Sequence, residues 1–139
     1  MRSRKAGDAY VLRFETGDRL VASLAEFFRS RKIRAGTFTG IGSCRRAELG
    51  FFDPKTKKYA FKTFRGPREI AALVGNISLM DGRPFVHAHA VLAGRDFRAV
   101  AGHLREAEIL AACEVVLTVL PRKIVRKRDE KSGTNPLMI

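Results

Sequence analysis

The chain has 139 residues, 45% of them apolar, which is enough for one domain with its own core and no covalent staples. Its 27 Lys and Arg outnumber 14 Asp and Glu, a formal charge of +13 that points to polyanionic partners and away from basic ones. No apolar run approaches the roughly eighteen residues of a membrane span, and the basic start "MRSRKAGDAY" leads into no apolar stretch, so a soluble cytoplasmic protein without membrane partner or secretory signal is expected.

In chain order, "AYVLRF" (9 to 14) reads as a strand, with Tyr10, Leu12 and Phe14 on one face. From Thr16 to Lys32 the period changes: Leu20, Leu24, Phe27 and Phe28 fall at helical spacing, and Thr16 or Asp18 can cap the start by accepting from unpaired backbone N–H groups. "AGTFTGIGS" (35 to 43), with glycines that suggest bulges, then "RRAELGFFD" (45 to 53) and "YAFKTF" (59 to 64) read as strands around the polar turn "DPKTKK". "EIAALVGNIS" (69 to 78), "PFVHAHAVL" (84 to 92), "RAVAGHL" (98 to 104) and "EILAACEVVLTVL" (108 to 120) complete the set. One helix among many short strands predicts an α+β fold. Cys44 and Cys113, far apart in apolar surroundings, suit reduced thiols. A basic segment at residues 1–7 precedes the domain, read as 8–120, and the basic run "PRKIVRKRDEK" opens a tail, 121–139, expected to be loose and flexible or to dock as an arm.

All three histidines fall in "PFVHAHAVLAGRDFRAVAGH". On a strand, residues two apart share a face, so His87 and His89 stand side by side, and a hairpin turning near Gly94 to Asp96 returns His103 beside them. An imidazole in an apolar layer needs a partner, and a metal ion supplies one to several at once; three histidine nitrogens with an open fourth position are a zinc donor set. The plainer reading is three separately satisfied histidines. Glu114 is an acid within the apolar run "LAACEVVLTVL". It is either a catalytic acid/base or fourth ligand beside a metal, or the partner of a buried arginine.

"AGTFTGIGS", "REIAALVGNIS", "DGRPFVHAHAVL", the Gly102-His103 pair and "AEILAACEVVLTVL", in this order, resemble the plants-and-prokaryotes-conserved (PPC) domain over about residues 8 to 120. The resemblance implies a compact α+β sandwich of mainly antiparallel strands with one principal amphipathic helix, assembled as a homotrimer. It also implies DNA binding, and a fold similar to acetolactate decarboxylase, whose zinc is held by three histidines; this supports His87, His89 and His103 as ligands of a divalent metal, zinc first. Two departures are visible. "GPREIAAL" carries Arg68 where the plant proteins' partner-binding segment has an aromatic, and "DGRPF" has Asp81 in place of the leading arginine of an AT-hook, so Arg83 does not read a minor groove. DNA contact is therefore expected through Lys and Arg clusters against phosphates. The competing expectation is a metal-dependent enzyme, a lyase or hydrolase acting on a small oxo or hydroxy acid, with Glu114 moving a proton and Arg45 or Arg46 holding a carboxylate.

Overall fold

A computed structural model of the chain describes residues 1–139. Strands β1 (Arg2–Ala6) and β2 (Ala9–Glu15) form an antiparallel pair, helix α1 (Leu20–Ser30) follows, and then come β3 (Gly36–Asp53), β4 (Lys58–Met80), β5 (Arg83–Ala93) and β6 (Ala99–Val119). Two short strands, β7 (Val125–Arg126) and β8 (Leu137–Met138), end the chain.

Three pairs of expected strands run together: 35–43 with 45–53 as β3, 59–64 with 69–78 as β4, and 98–104 with 108–120 as β6. The glycines and polar residues between them mark irregular register, not loops. The pairing of β3 with β4 shifts between Gly40 and Gly42 and again between Cys44 and Arg46, and its pairing with β6 shifts between Glu48 and Leu49, facing the stretch "REA". Each shift bends a strand and adds twist without ending it. Bent in this way, β3 pairs with both β4 and β6 while β5 also pairs with both, so these four strands close on themselves. The layers of the expected sandwich are thus one continuous eight-stranded sheet, antiparallel except where β4 meets β7. The fold is α+β, with a single helix.

The helix buries Leu20, Leu24, Phe27 and Phe28, the four residues whose spacing predicts it. They pack into one core with Leu12 and Phe14 of β2, Leu92 of β5 and Ile109 of β6, all fully buried. Each such side chain contributes about 1.5–3 kcal/mol by leaving water. The helix begins later than expected, at Leu20, and neither Thr16 nor Asp18 caps it. Glu106 of β6 does so instead: its carboxylate accepts from the N–H groups of Val21 at 2.7 Å and Ala22 at 3.3 Å. Asp18 accepts from the Glu15 N–H and faces the terminal amine of Met1 at 2.9 Å.

From Pro121 the segment lies against the sheet. Leu79 N–H donates to the Ile124 carbonyl, β7 lies parallel to β4, and β8 pairs back onto β7. Between them Asp129 accepts from the N–H groups of Lys131 and Ser132, which closes a tight hairpin over "DEKSGT". Lys57, in the β3–β4 turn, donates to the Glu130 carbonyl at 2.8 Å and ties that hairpin to the sheet.

Candidate metal centre

Along β5, Ala88, Ala90 and Leu92 point into the core, and His87 and His89 therefore point the other way. The turn after β5 closes with the Gly94 N–H donating to the Arg98 carbonyl, which sets His103 of β6 directly opposite His89. Of the two faces of β5 only the alanine face is buried; the histidines expected in an apolar layer are half-buried, at His87 and His103, or exposed, at His89.

Each histidine offers a ring nitrogen, and these three atoms lie within 4.8 Å of one another. The ring centres are 5.3 Å apart for His87–His89, 5.3 Å for His87–His103 and 5.5 Å for His89–His103. Three imidazoles on one tetrahedral ion, with Zn–N bonds of about 2.0–2.1 Å, hold their ring centres about 5 Å apart, so the cluster has the dimensions of such a donor set. His103 Nδ1 is buried and has no hydrogen-bond partner, a deficit that a ligated ion removes when this nitrogen binds it. Burial, with the Arg126 charge beside it, pushes the pKa of His87 down to about 4. Burial and the neighbouring His89 lower that of His103 as well. Neutral imidazoles with free lone pairs are what a metal needs at pH 7. A set of nitrogen donors suits zinc and its first-row neighbours better than magnesium or calcium.

Tyr59 of β4 lies against His103, ring centres 5.0 Å apart, and it does so because Gly50 separates them: a Cβ there would come within 2.7 Å of the Phe61 ring and 3.1 Å of the Tyr59 ring. On the other side stands Arg126 of β7, only 7% exposed. Its Nε donates to Ser78 Oγ at 3.0 Å, Nη1 to the Asn135 carbonyl at 2.6 Å, and Nη2 to Asn76 Oδ1 at 2.7 Å. Nη2 also lies 3.2 Å from His87 Nδ1. A guanidinium only donates, so in that contact Nδ1 accepts and the neutral ring carries its proton on Nε2. A metal bound through either nitrogen of His87 ends this arrangement.

Glu114 is not among the clustered groups. It is exposed on β6, opposite Arg13 and Ile41, beside an apolar strip of Val11, Ile41, Val74 and Val116. Arg45 pairs with Glu108 at 2.8 Å, and Arg46 lines a separate polar cleft with Arg19, Glu48 and Glu106, so neither expected carboxylate holder reaches the histidines. Sequence reasoning missed Arg126, which sits in a basic run with no periodicity to distinguish it from Lys127 or Arg128. Tyr59 was read only as a strand residue.

The family model of the Plants and Prokaryotes Conserved (PCC) domain matches residues 1–121. Among solved structures, one named as a candidate DNA-binding protein from Bacteroides thetaiotaomicron is 34% identical, with 99% of this chain and 96% of that chain covered and a TM-score of 0.96. A metal-containing protein from Archaeoglobus fulgidus is 34% identical over 97% of this chain and 96% of that chain, TM-score 0.88. Acetolactate decarboxylase from Bacillus subtilis shares the fold alone: 12% identity, 84% of this chain, 54% of that chain, TM-score 0.59. No curated protein matches the chain.

Proposed function

Since the chain belongs to the Plants and Prokaryotes Conserved domain family, we propose that it is a cytoplasmic homotrimer that holds a divalent metal ion, zinc before others, on His87, His89 and His103 and contacts DNA phosphates through Lys and Arg side chains. The observation that carries the metal reading is the convergence of three imidazoles at the spacing of one ion's donor set. The Archaeoglobus protein's description as metal-containing supports it. Metal analysis of the purified protein is expected to give about one zinc per subunit. The double variant His87→Ala/His89→Ala, folded by circular dichroism, is expected to retain none; unchanged metal content would overturn the assignment.

DNA contact is supported by the Bacteroides protein's name and by a cleft of 390 Å³. Lys5, Arg31, Lys32, Arg34, Arg122 and Lys123 line that cleft with Asp8 as its one acid. None of these six cations is in an ion pair. Contacts of this kind read phosphate and not base sequence, so affinity for a random duplex is expected to fall on the order of a thousandfold between 50 and 200 mM salt. Fluorescence anisotropy measures it, and salt-independent retention refutes it. Self-association is supported by the exposed strip of Val11, Ile41, Val74 and Val116 on neighbouring strands, a continuous apolar face of the kind that marks an interface. Both readings suit a reducing compartment, where the buried Cys44 and Cys113 stay unpaired. No helix is long and apolar enough to cross a membrane.

One observation favours an enzyme as second reading. A 460 Å³ cavity opens onto His87, His103 and Tyr59, room for a small oxo or hydroxy acid. A metal held there would supply Lewis-acid polarisation of a carbonyl.

A further inference from the structure

We infer that the cavity beside the histidines is a binding subsite for a small oxyanion, a carboxylate or a phosphate, built by residues of the C-terminal segment around Arg126. Its ligand class deepens the second reading above, but the argument needs no metal.

Arg126 is a buried cation whose partners are all neutral: a hydroxyl, a side-chain amide, a backbone carbonyl and an imidazole. Burying a charge without a counter-charge is expensive, and neutral acceptors offset only part of that cost. The cavity in front of it adds Lys57 and Arg128, and no carboxylate lines its wall. Two acids of the hairpin act on these flanking cations, Glu130, whose Oε1 is 3.5 Å from Arg128 Nε, and Asp129, whose carboxyl feels the Lys57 charge; neither is a partner of Arg126. Three cations around one acid-free concavity form an electrostatic trap for an anion. Donors of fixed direction are present too. Of the five N–H groups of the Arg126 guanidinium, four are taken by the contacts named, and one on Nη1 remains free. Metal on His87 releases the hydrogen that Nη2 gives to Nδ1, so the subsite gains a second donor when the histidines are loaded.

The arrangement depends on the docked tail. Asn135, Thr134 and Gly133 wall the cavity from one hairpin, and Arg126 enters it from β7. These residues lie beyond the part of the chain matched by the family model, residues 1–121, while the Bacteroides and Archaeoglobus structures cover 99% and 97% of this chain and so extend into the same segment.

Isothermal titration of the full chain with inorganic phosphate and, separately, with acetate and pyruvate tests the inference, each with chelator and again with one equivalent of zinc. Saturable binding of at least one probe to the metal-free protein is expected, tightened severalfold by zinc, and the preferred probe decides between phosphate and carboxylate. Arg126→Gln is expected to weaken binding at least tenfold. Because that change can also loosen the tail, the second variant is Arg128→Gln, at an exposed side chain whose loss leaves the Lys57 tie to the Glu130 carbonyl in place, with a severalfold loss expected. No saturable binding of any probe in either state, or affinity unchanged in both variants, overturns the inference. Zinc binding on the same samples separates it from the metal reading: zinc without anion leaves the metal site standing, and anion without zinc leaves the subsite standing.

Discussion

The closed strands β3 to β6 and the C-terminal segment are held in place by different forces. The closed strands, with β2 and α1, surround Leu12, Phe14, Leu24, Phe28, Leu73 and Ile109, none of them exposed at all. Residues 122–139 bury only Arg126 and Gly133, and they are fixed by Arg126's hydrogen bonds, one strand bridge at Leu79 and the Lys57 tie to Glu130. Burial of apolar surface is non-directional and tolerant of polar change; a network of directed hydrogen bonds is lost when one member is removed. The candidate site lies where the two regimes meet. Its histidines are rooted in the apolar body, and the arginine that touches His87 comes from the polar segment.

The sharpest way to break that contrast is to damage each region by a comparable loss of side chain. Phe14→Ala removes a fully buried ring from the core and is expected to cost about 3–5 kcal/mol, read as a shift in the urea midpoint. Met138→Ala, on the exposed rim of β8, is expected to cost under about 1 kcal/mol. Similar costs for both would mean that the tail shares the core's cooperativity.

A second test uses pH. In the metal-free protein His87 titrates near 4, against an ordinary value of 6.5, because it is partly buried beside Arg126. Between these values the unfolded chain takes up a proton that the folded site refuses. Stability is therefore flat above pH 6.5 and falls as pH drops through 6.5 towards 4, by about 1–2 kcal/mol once solvent screening of the half-exposed ring is allowed for. Melting curves with chelator between pH 7.5 and 4.5 check this, and His87→Gln is expected to reduce the slope. Zinc should carry the plateau to lower pH, since the ion holds the nitrogens that protons would take.

The same contrast explains what could be read from the sequence. Alternation on a strand is a periodic signal, so "HAH" on one face and the return of His103 across a short turn were legible from the residues alone. The helix face was legible for the same reason. Strand ends were not, because glycines and charges such as Gly66 and Arg105 look like turns, while in a closed sheet they serve as bulges inside one long strand. The helix cap was missed because Glu106 comes from a distant strand, and no local pattern connects it to Leu20. Arg126 was missed because one buried arginine among solvated ones leaves no mark in composition. Glu114 misled by its neighbours: it interrupts an apolar run because the outer face of β6 is itself half apolar, with Val116 49% exposed.

The smallest expected effect separates the arginines. Arg45, a sequence candidate for holding a carboxylate, pairs with Glu108 at 2.8 Å with both side chains partly exposed. Exposed pairs of this kind are worth about 0.2–1 kcal/mol, because water screens the attraction and ordering two long side chains costs entropy. Arg45→Ala should therefore lower stability by less than about 1 kcal/mol and leave zinc affinity and phosphate or carboxylate affinity unchanged. Arg126→Gln should do the reverse, sparing the core and weakening the anion, because it acts through the cavity. If Arg45→Ala weakens anion binding as much as Arg126→Gln does, the charge felt at the site is that of the whole basic surface, and the directed donors of the C-terminal segment are not what selects the ligand.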